Sequence, residues 1–392
     1  MDLNQRLYGQ RNRYTQLLPL SYMVPTFYPS APGNAQPQAG APLIQLADPD
    51  LQSRAQRMVN ALYWAAQTFA NAPGMHDPST LKVFIAPEFY FRCASPDEVH
   101  DHEFQRNTSF GSYPERARFE LAEALYGAIQ SSPLFADWVL VAGTVCSVLP
   151  PVDERMNLLN TAIMLRGQRA AADASVPYVL MEKHYISNID GPPQGNHANL
   201  DPTTVFSFHL NPDQVLDNLI HWDGMTVGLE VCLDHALQVL VNAVNILQQS
   251  VGPDARQPDV QLVTSCGMNV VPYSVAVQDG GLVLLTDGMS HVADHLPEPP
   301  FYVGRYTEAT MSVQFLNKLT DFQFQELPRT DDYQVNYFHG LYAANGSRQG
   351  IWCGKQPQPM LVKPGTRAQP ATAPGAGQPT SLIPAVQVVG SC

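Results

Sequence analysis

The sequence predicts an α/β fold in which helices cover two β-sheets. Strand-like apolar runs alternate with helical segments through most of the 392 residues, an order that gives helices layered on sheets. The strand-like runs come in consecutive pairs more often than one doubly wound sheet needs, which predicts two sheets. With 45% hydrophobic residues, the chain can bury a substantial core in one large domain or two ordinary ones.

Each element has its own warrant. Residues 30–42, "SAPGNAQPQAGAP", are Pro/Gly/Ala-rich and read as a loop. Asp48 then caps a helix with Pro49 at its first position. Leu51, Ala55, Met58, Val59, Leu62, Ala66 and Phe69 follow helical spacing and form one apolar face. "NAPG" at 71–74 stops that helix. A strand follows at 81–91, a helix at 114–131, and strands at 138–145, 158–165 and 177–182. After a long loop come a strand at 225–232, a helix at about 235–249, and strands at 260–265, 281–286, 301–304 and 310–316. Residues 1–355 are read as one domain. Residues 356–392 are read as a tail, since the Pro/Ala/Gly-rich stretch 356–380 has too little apolar content for a core.

The net charge of −13 and pI of about 5.2 argue against a nucleic-acid binder, which needs a basic surface. They suit a protein acting on small molecules or neutral peptides. No stretch approaches the roughly 20 apolar residues that span a bilayer, so no membrane partner is expected. The polar start, "MDLNQRLYGQRNRYTQ", lacks the apolar stretch of a secretory signal. The six cysteines show no CxxC spacing, which disfavours a disulfide scaffold or zinc ribbon. The expected compartment is the reducing cytoplasm.

Three polar groups stand at the ends of apolar runs: Glu88 after "VFIAP", Lys183 after "YVLME" and Cys232 after "TVGLEV". In layered α/β folds, sites gather at the carboxyl ends of strands. The three types form a chemical set. A thiol becomes a good nucleophile when a base or a positive charge favours its thiolate. A carboxylate can take the proton, and a lysine can stabilise the oxyanion formed when sulfur attacks carbon.

In "VFIAPEFYF", "NLLNTAIML", "YVLMEKHYIS" and "GLEVCLDH", in that order, the chain resembles the nitrilase (carbon–nitrogen hydrolase) superfamily over roughly residues 45–290. The resemblance implies a four-layer αββα sandwich with two central mixed β-sheets. It also implies a Glu88-Lys183-Cys232 catalytic triad, no cofactor, a small-molecule amide substrate and a homodimer or larger assembly. There are departures. Residues 184–229 contain no glutamate where many members carry a second one; either Asp190 or Asp201 replaces it or the role is absent. His235 follows Asp234 where an arginine is usual shortly after the cysteine. Leu233-Asp234 replaces the Trp-Glu of true nitrilases and is more like the amidase branches. An acyl or amide transferase and an inactive ligand-binding relative are the alternatives.

Around these three, Cys232 is placed on a strand-to-helix elbow, near a helix N-terminus whose dipole favours a thiolate. The backbone N–H of Leu233 joins Lys183 as an oxyanion donor. Asp234 is read as the N-cap of the helix. Glu230 lies two residues before Cys232, hence on the same strand face; it either tunes the site and orients Lys183 or is a structural hydrogen-bond partner. Tyr90 shares the face of Glu88 and is the aromatic placed against substrate. His235 and Cys266 complete the substrate-binding candidates. His291 and His295, and "HDHE" at 100–103, read as loops rather than metal sites, and no metal is expected. Serine-hydrolase, dinucleotide and phosphate-loop motifs are absent from the sequence.

Overall fold

The computed structural model describes residues 14–26, 34–93, 100–101, 106–107, 111–152, 155–168, 178–185, 187, 189–190, 212–222, 224–252, 255, 257–289, 301–316, 318–328 and 349–360. Its elements run β1 (Gln16–Met23), α1 (Pro49–Thr68), β2 (Thr80–Ile85), α2 (Ala117–Ile129), β3 (Trp138–Val152), β4 (Arg155–Arg166), β5 (Tyr178–Glu182), β6 (Leu219–Trp222) and β7 (Met225–Val231). They continue with α3 (Leu233–Ala236), α4 (Val239–Val251), β8 (Val260–Ser265), β9 (Leu282–Asp287), β10 (Phe301–Thr307), β11 (Ser312–Phe315), β12 (Phe322–Glu326), β13 (Gly350–Gly354) and β14 (Gln358–Pro359).

Two mixed sheets form. The first runs β12-β13-β1-β2-β3-β4-β5, with β14 also on β1; the second runs β11-β10-β9-β8-β7-β6. Pairing is parallel for β1-β2, β2-β3, β7-β8 and β8-β9, and antiparallel toward the edges. Strand alternation explains how they stack. Leu81, Val83 and Ile85 of β2 face Val227, Leu229 and Val231 of β7 in one inter-sheet core. Phe84 points the other way, into a core shared with α1 and α2. On the far side, α4 packs Leu240, Ala243, Val244 and Leu247 over the second sheet. The order is therefore α, β, β, α, the sandwich expected above. Among the described residues, no helix is long and apolar enough to cross a membrane.

The first helix follows its sequence signals. Asp48 accepts from the N–H groups of Asp50 and Leu51 at 2.9 and 3.0 Å, and Pro49 opens the helix. The described part of the Pro/Gly/Ala-rich segment, residues 34–42, rides on α1: Asn60 holds the Gln38 N–H at 3.0 Å and Gln56 Nε2 donates to Pro42 O at 3.0 Å. Elsewhere the expectations need correction. The single helix at 235–249 is two, a one-turn α3 and then α4, separated by Gln238 in the left-handed region at φ 61°. β1, β6 and β12–β14 are not predicted from sequence; of these, β6 and β12–β14 are short, while β1 has eight residues. The domain boundary after 355 also shifts: β14 pairs with β1, Met360 N–H donates to Thr15 O at 2.8 Å, and the Met360 side chain is buried between the sheets. Residues 361–392 lie outside the described residues.

Gly143 shapes the turn that ends β2. It has φ 80° and sits where the β3-β4 register shifts between Val141 and Thr144. A Cβ there would lie 2.3 Å from the Pro87 carbonyl oxygen. Gly143→Ala is expected to cost about 2 kcal/mol or more, combining an unfavourable φ with a backbone clash. A urea melt showing an unchanged midpoint would contradict this.

Candidate active site

The two sheets meet over the carboxyl ends of β2, β7 and β8. There Thr264 Oγ1 donates to Ala86 O at 2.8 Å, Glu88 N–H to Ser265 O at 3.2 Å, and Cys232 N–H to Thr264 O at 2.9 Å. These bonds hold the turn after β2, from the first sheet, against the elbow after β7, from the second.

Glu88, Lys183 and Cys232 come together at this seam, and all three are buried. Lys183 follows β5 directly, its N–H bonded to Asn160 O at 2.8 Å. Its Nζ donates to Glu88 Oε1 at 2.8 Å and to Asp190 Oδ2 at 2.6 Å. The Cys232 thiol lies 3.9 Å from the Cys266 carbonyl oxygen, within the electrostatic reach of both Glu88 and Lys183. The backbone at Cys232 is strained, with φ 48° and ψ −108° in a non-glycine residue. That conformation turns the chain from β7 into α3, so Leu233 opens the one-turn helix with an N–H that has no intrahelical partner.

Two more residues belong to the cluster. Asn160, inside β4, donates from Nδ2 to Glu88 Oε1 at 2.8 Å and to Asp190 Oδ1 at 2.9 Å. Asp190 is fixed by Ser187, whose N–H and Oγ both reach Oδ2 at 2.8 Å. Of the two aspartates named for this loop, Asp190 stands on Lys183, and Asp201 lies outside the described residues. Asn160 lies within the "NTA" run, but a polar residue inside a strand does not by itself reveal that it reaches a neighbouring strand end.

The electrostatics follow from burial. Burial pushes the Glu88 carboxyl up to about 7; the Lys183 ammonium opposes this and the Asp190 charge adds to it. Burial also works against the Lys183 charge, but Asp190, Glu88 and Cys232 outweigh it and hold the ammonium well above its ordinary range. Asp190 ends below the ordinary carboxyl range because Lys183 and the Ser187 bonds overcome its burial. Burial and the Glu88 charge drive the Cys232 thiol well up, against the pull of Lys183. Lys183 favours the thiolate as expected, but burial and Glu88 outweigh it. The helix there is a single turn, Leu233–Ala236.

Oε1 of Glu88 is taken by Lys183 and Asn160. Oε2 accepts from none of the described nitrogen or oxygen donors. The carboxyl thus keeps one oxygen clear of the groups that hold it in place.

Other sequence-predicted residues fall elsewhere. Tyr90 packs against Tyr22 and Phe91 in the core under the helices, with ring centroids 5.7 and 4.9 Å away. Phe89 faces the site instead, its ring centroid 5.7 Å from Lys183 Nζ. The cause is Phe89's φ of 63°, which breaks strand alternation after β2. Glu230 and His235 are buried and bonded to each other at 2.7 Å on the helix side of the second sheet, so neither lines the cluster. Cys232's turn to positive φ is why counting by two from Glu230 fails. Asp234 lies inside α3 rather than capping it; its carboxyl accepts from the N–H groups of His184 and Tyr185 at 2.8–3.1 Å and clasps the backbone directly after Lys183. Cys266 is fully buried beside Phe89 and Cys146 and reaches Cys232 through its carbonyl. Arg92, which sequence reasoning did not single out, stacks its guanidinium 3.6 Å over Phe89 and donates to Ile189 O at 2.8 Å. His291 and His295 lie outside the described residues. Of "HDHE", His100 and Asp101 pair with 106–107, and the other two residues lie outside.

No protein-family profile matches the chain, and no curated protein matches it. Among solved structures, it aligns with an amidase from Nesterenkonia sp. at 13% identity and a TM-score of 0.40, over 89% of this chain and 92% of that one. It also aligns with a cysteine-to-serine mutant of a Nesterenkonia AN1 amidase from the nitrilase superfamily, at 13% identity and a TM-score of 0.38, over 86% and 91%. A glutamine-dependent NAD+ synthetase from Acinetobacter baumannii aligns at 14% identity and a TM-score of 0.35, over 80% of this chain and 48% of that one.

Proposed function

We propose that the chain is a cysteine-nucleophile carbon–nitrogen hydrolase, an amidase working through a thioester. The observation that carries this reading is the convergence, across two sheets, of a thiol on a strained elbow, a carboxyl raised to about 7 and an ammonium clamped by Asp190. Ionised Glu88 takes the Cys232 proton as sulfur attacks the amide carbon, so the thiolate exists only as it reacts. The Lys183 ammonium and the Leu233 N–H receive the developing oxyanion. Protonated Glu88 then gives its proton to the departing nitrogen. Once amine has left, the same carboxylate activates water to cleave the thioester. A carboxyl near 7 suits both duties at neutral pH. Asp190 and Asn160 touch none of the reacting atoms in this scheme; they hold Lys183 and Glu88.

The test is a panel of amides and matched nitriles with wild type and Cys232→Ala, followed by intact mass. The expected result is amide hydrolysis with a transient acyl adduct on Cys232, and little or no nitrile turnover. Faster hydrolysis of nitriles than of amides would overturn the amidase assignment.

A pH dependence follows. Because Glu88 must be ionised to accept the thiol proton, kcat/KM should fall as pH drops through about 7. Asp190→Asn removes a negative charge that raises Glu88 and leaves Lys183 to it alone, so the midpoint should move down. A midpoint that moves up, or stays fixed, in Asp190→Asn would refute this coupling.

A further inference from the structure

Glu230 and His235 flank the nucleophile, two residues before it and three after. Their hydrogen bonds form one closed set. Glu230 Oε2 receives His235 Nδ1 at 2.7 Å and Gln261 Nε2 at 2.6 Å, while Oε1 accepts from the Leu240 N–H at 2.8 Å. The carboxylate thereby caps α4 from outside, at a helix whose own first residues supply no side-chain cap. His235 Nε2 accepts from the Val271 N–H at 3.0 Å. A backbone N–H can only donate, so this bond places the imidazole proton on Nδ1, pointing at Glu230. Gln261 completes the set, donating to Ser274 O at 3.1 Å and accepting from the Ala276 N–H at 2.9 Å. Glu230, His235 and Gln261 are all fully buried.

The pair therefore bridges β7 and α3 across the one residue between them whose backbone is strained. Resting on the nucleophile assignment above, we infer that Glu230 and His235 are positioning residues. Their bond clamps the two arms of the elbow, holds Cys232 in its left-handed conformation and aims the Leu233 N–H at the oxyanion. The simplest replacements do not serve equally at either place. A glutamine at 230 has one acceptor oxygen for three donors. An alanine at 235 leaves the Val271 N–H and the Glu230 carboxylate without their partner.

The test uses the full-length protein with His235→Ala, His235→Asn and Glu230→Gln. Two quantities are read: the rate constant for chloroacetamide alkylation of Cys232, followed by peptide mass, and kcat and KM for the panel amide turned over fastest. Displacing a reacting atom by about an ångström costs on the order of a hundredfold. His235→Ala should therefore lose about a hundredfold in both kcat and alkylation, with KM little changed. Asparagine can still donate to Glu230, so His235→Asn should recover part of that loss. Glu230→Gln, nearly isosteric, should lose roughly tenfold or more and decides the case if His235→Ala does not fold. Folded variants that alkylate and turn over at wild-type rates overturn the inference, as does a loss confined to KM. Cys232→Ala separates the two readings. If it retains activity, the nucleophile assignment fails; if it is inactive while the 230 and 235 variants are unimpaired, only the clamp fails.

Discussion

Cys232→Ala is expected to bring amide hydrolysis down to background while leaving the fold intact. Alanine removes the sulfur that the proposed mechanism uses as its nucleophile. It removes little else. The thiol's described hydrogen bond is a weak one to Cys266 O at 3.9 Å, and the backbone N–H that ties the elbow to Thr264 is unchanged. Alanine carries the same Cβ into the same left-handed conformation, so the strain persists. Thermal unfolding of the variant should lie close to wild type. Activity above background in a variant whose far-UV spectrum matches wild type would remove Cys232 from the mechanism.

Glu88→Gln should act in two opposed directions. Losing the general base should cut turnover by on the order of a hundredfold or more. Stability should rise. The folded-state value of about 7 lies above the carboxyl's ordinary 4.5, so the folded chain binds the proton more tightly than the unfolded chain does. Native stability therefore falls as pH rises from about 4.5 through 7, and the loss is complete above that. Glutamine imitates the protonated form at every pH. It can still accept from Lys183 and Asn160 through one oxygen, and Asp190 still pairs the ammonium. At about pH 8 the variant should be more stable than wild type by on the order of 2 kcal/mol, and the gap should close as pH drops toward 4. Urea melts at the two pH values measure this. A Glu88→Gln variant less stable at pH 8 than at pH 4, relative to wild type, would contradict the raised carboxyl.

The layering was legible because strand and helix periods differ and the chain alternates them cleanly. The three strand-end groups were legible because a polar residue closing an apolar run is conspicuous. What escaped shares a physical origin: residues whose direction depends on a backbone dihedral. Phe89 at φ 63° and Cys232 at φ 48° each reverse the face that counting by two assigns. So counting by two places Tyr90 at the site where Phe89 stands, and of the two readings of Glu230 the structural hydrogen-bond partner is the one the structure shows. Nothing in "EFYF" or "EVCLD" marks a left-handed residue, since no glycine stands there. Asn160 and Asp190 escaped certainty for another reason. Their roles exist only once β4 and β5 lie side by side, and a single sequence does not state that pairing. Closure of the first sheet by β12–β14 was hidden by strands of two to five residues, too short to show a period.

That closure bears on how the protein is made. β1 is the first described strand to leave the ribosome, yet two of its partners, β13 and β14, are among the last. A nascent chain that has emerged to about residue 300 already holds Glu88, Asn160, Lys183, Asp190 and Cys232, while one flank of its first sheet stands open. During synthesis the constellation must wait on a distant stretch that contributes no chemistry. Ribosome-stalled chains that include residues 350–360 should acquire protease resistance in β1, and chains stalled just before them should not.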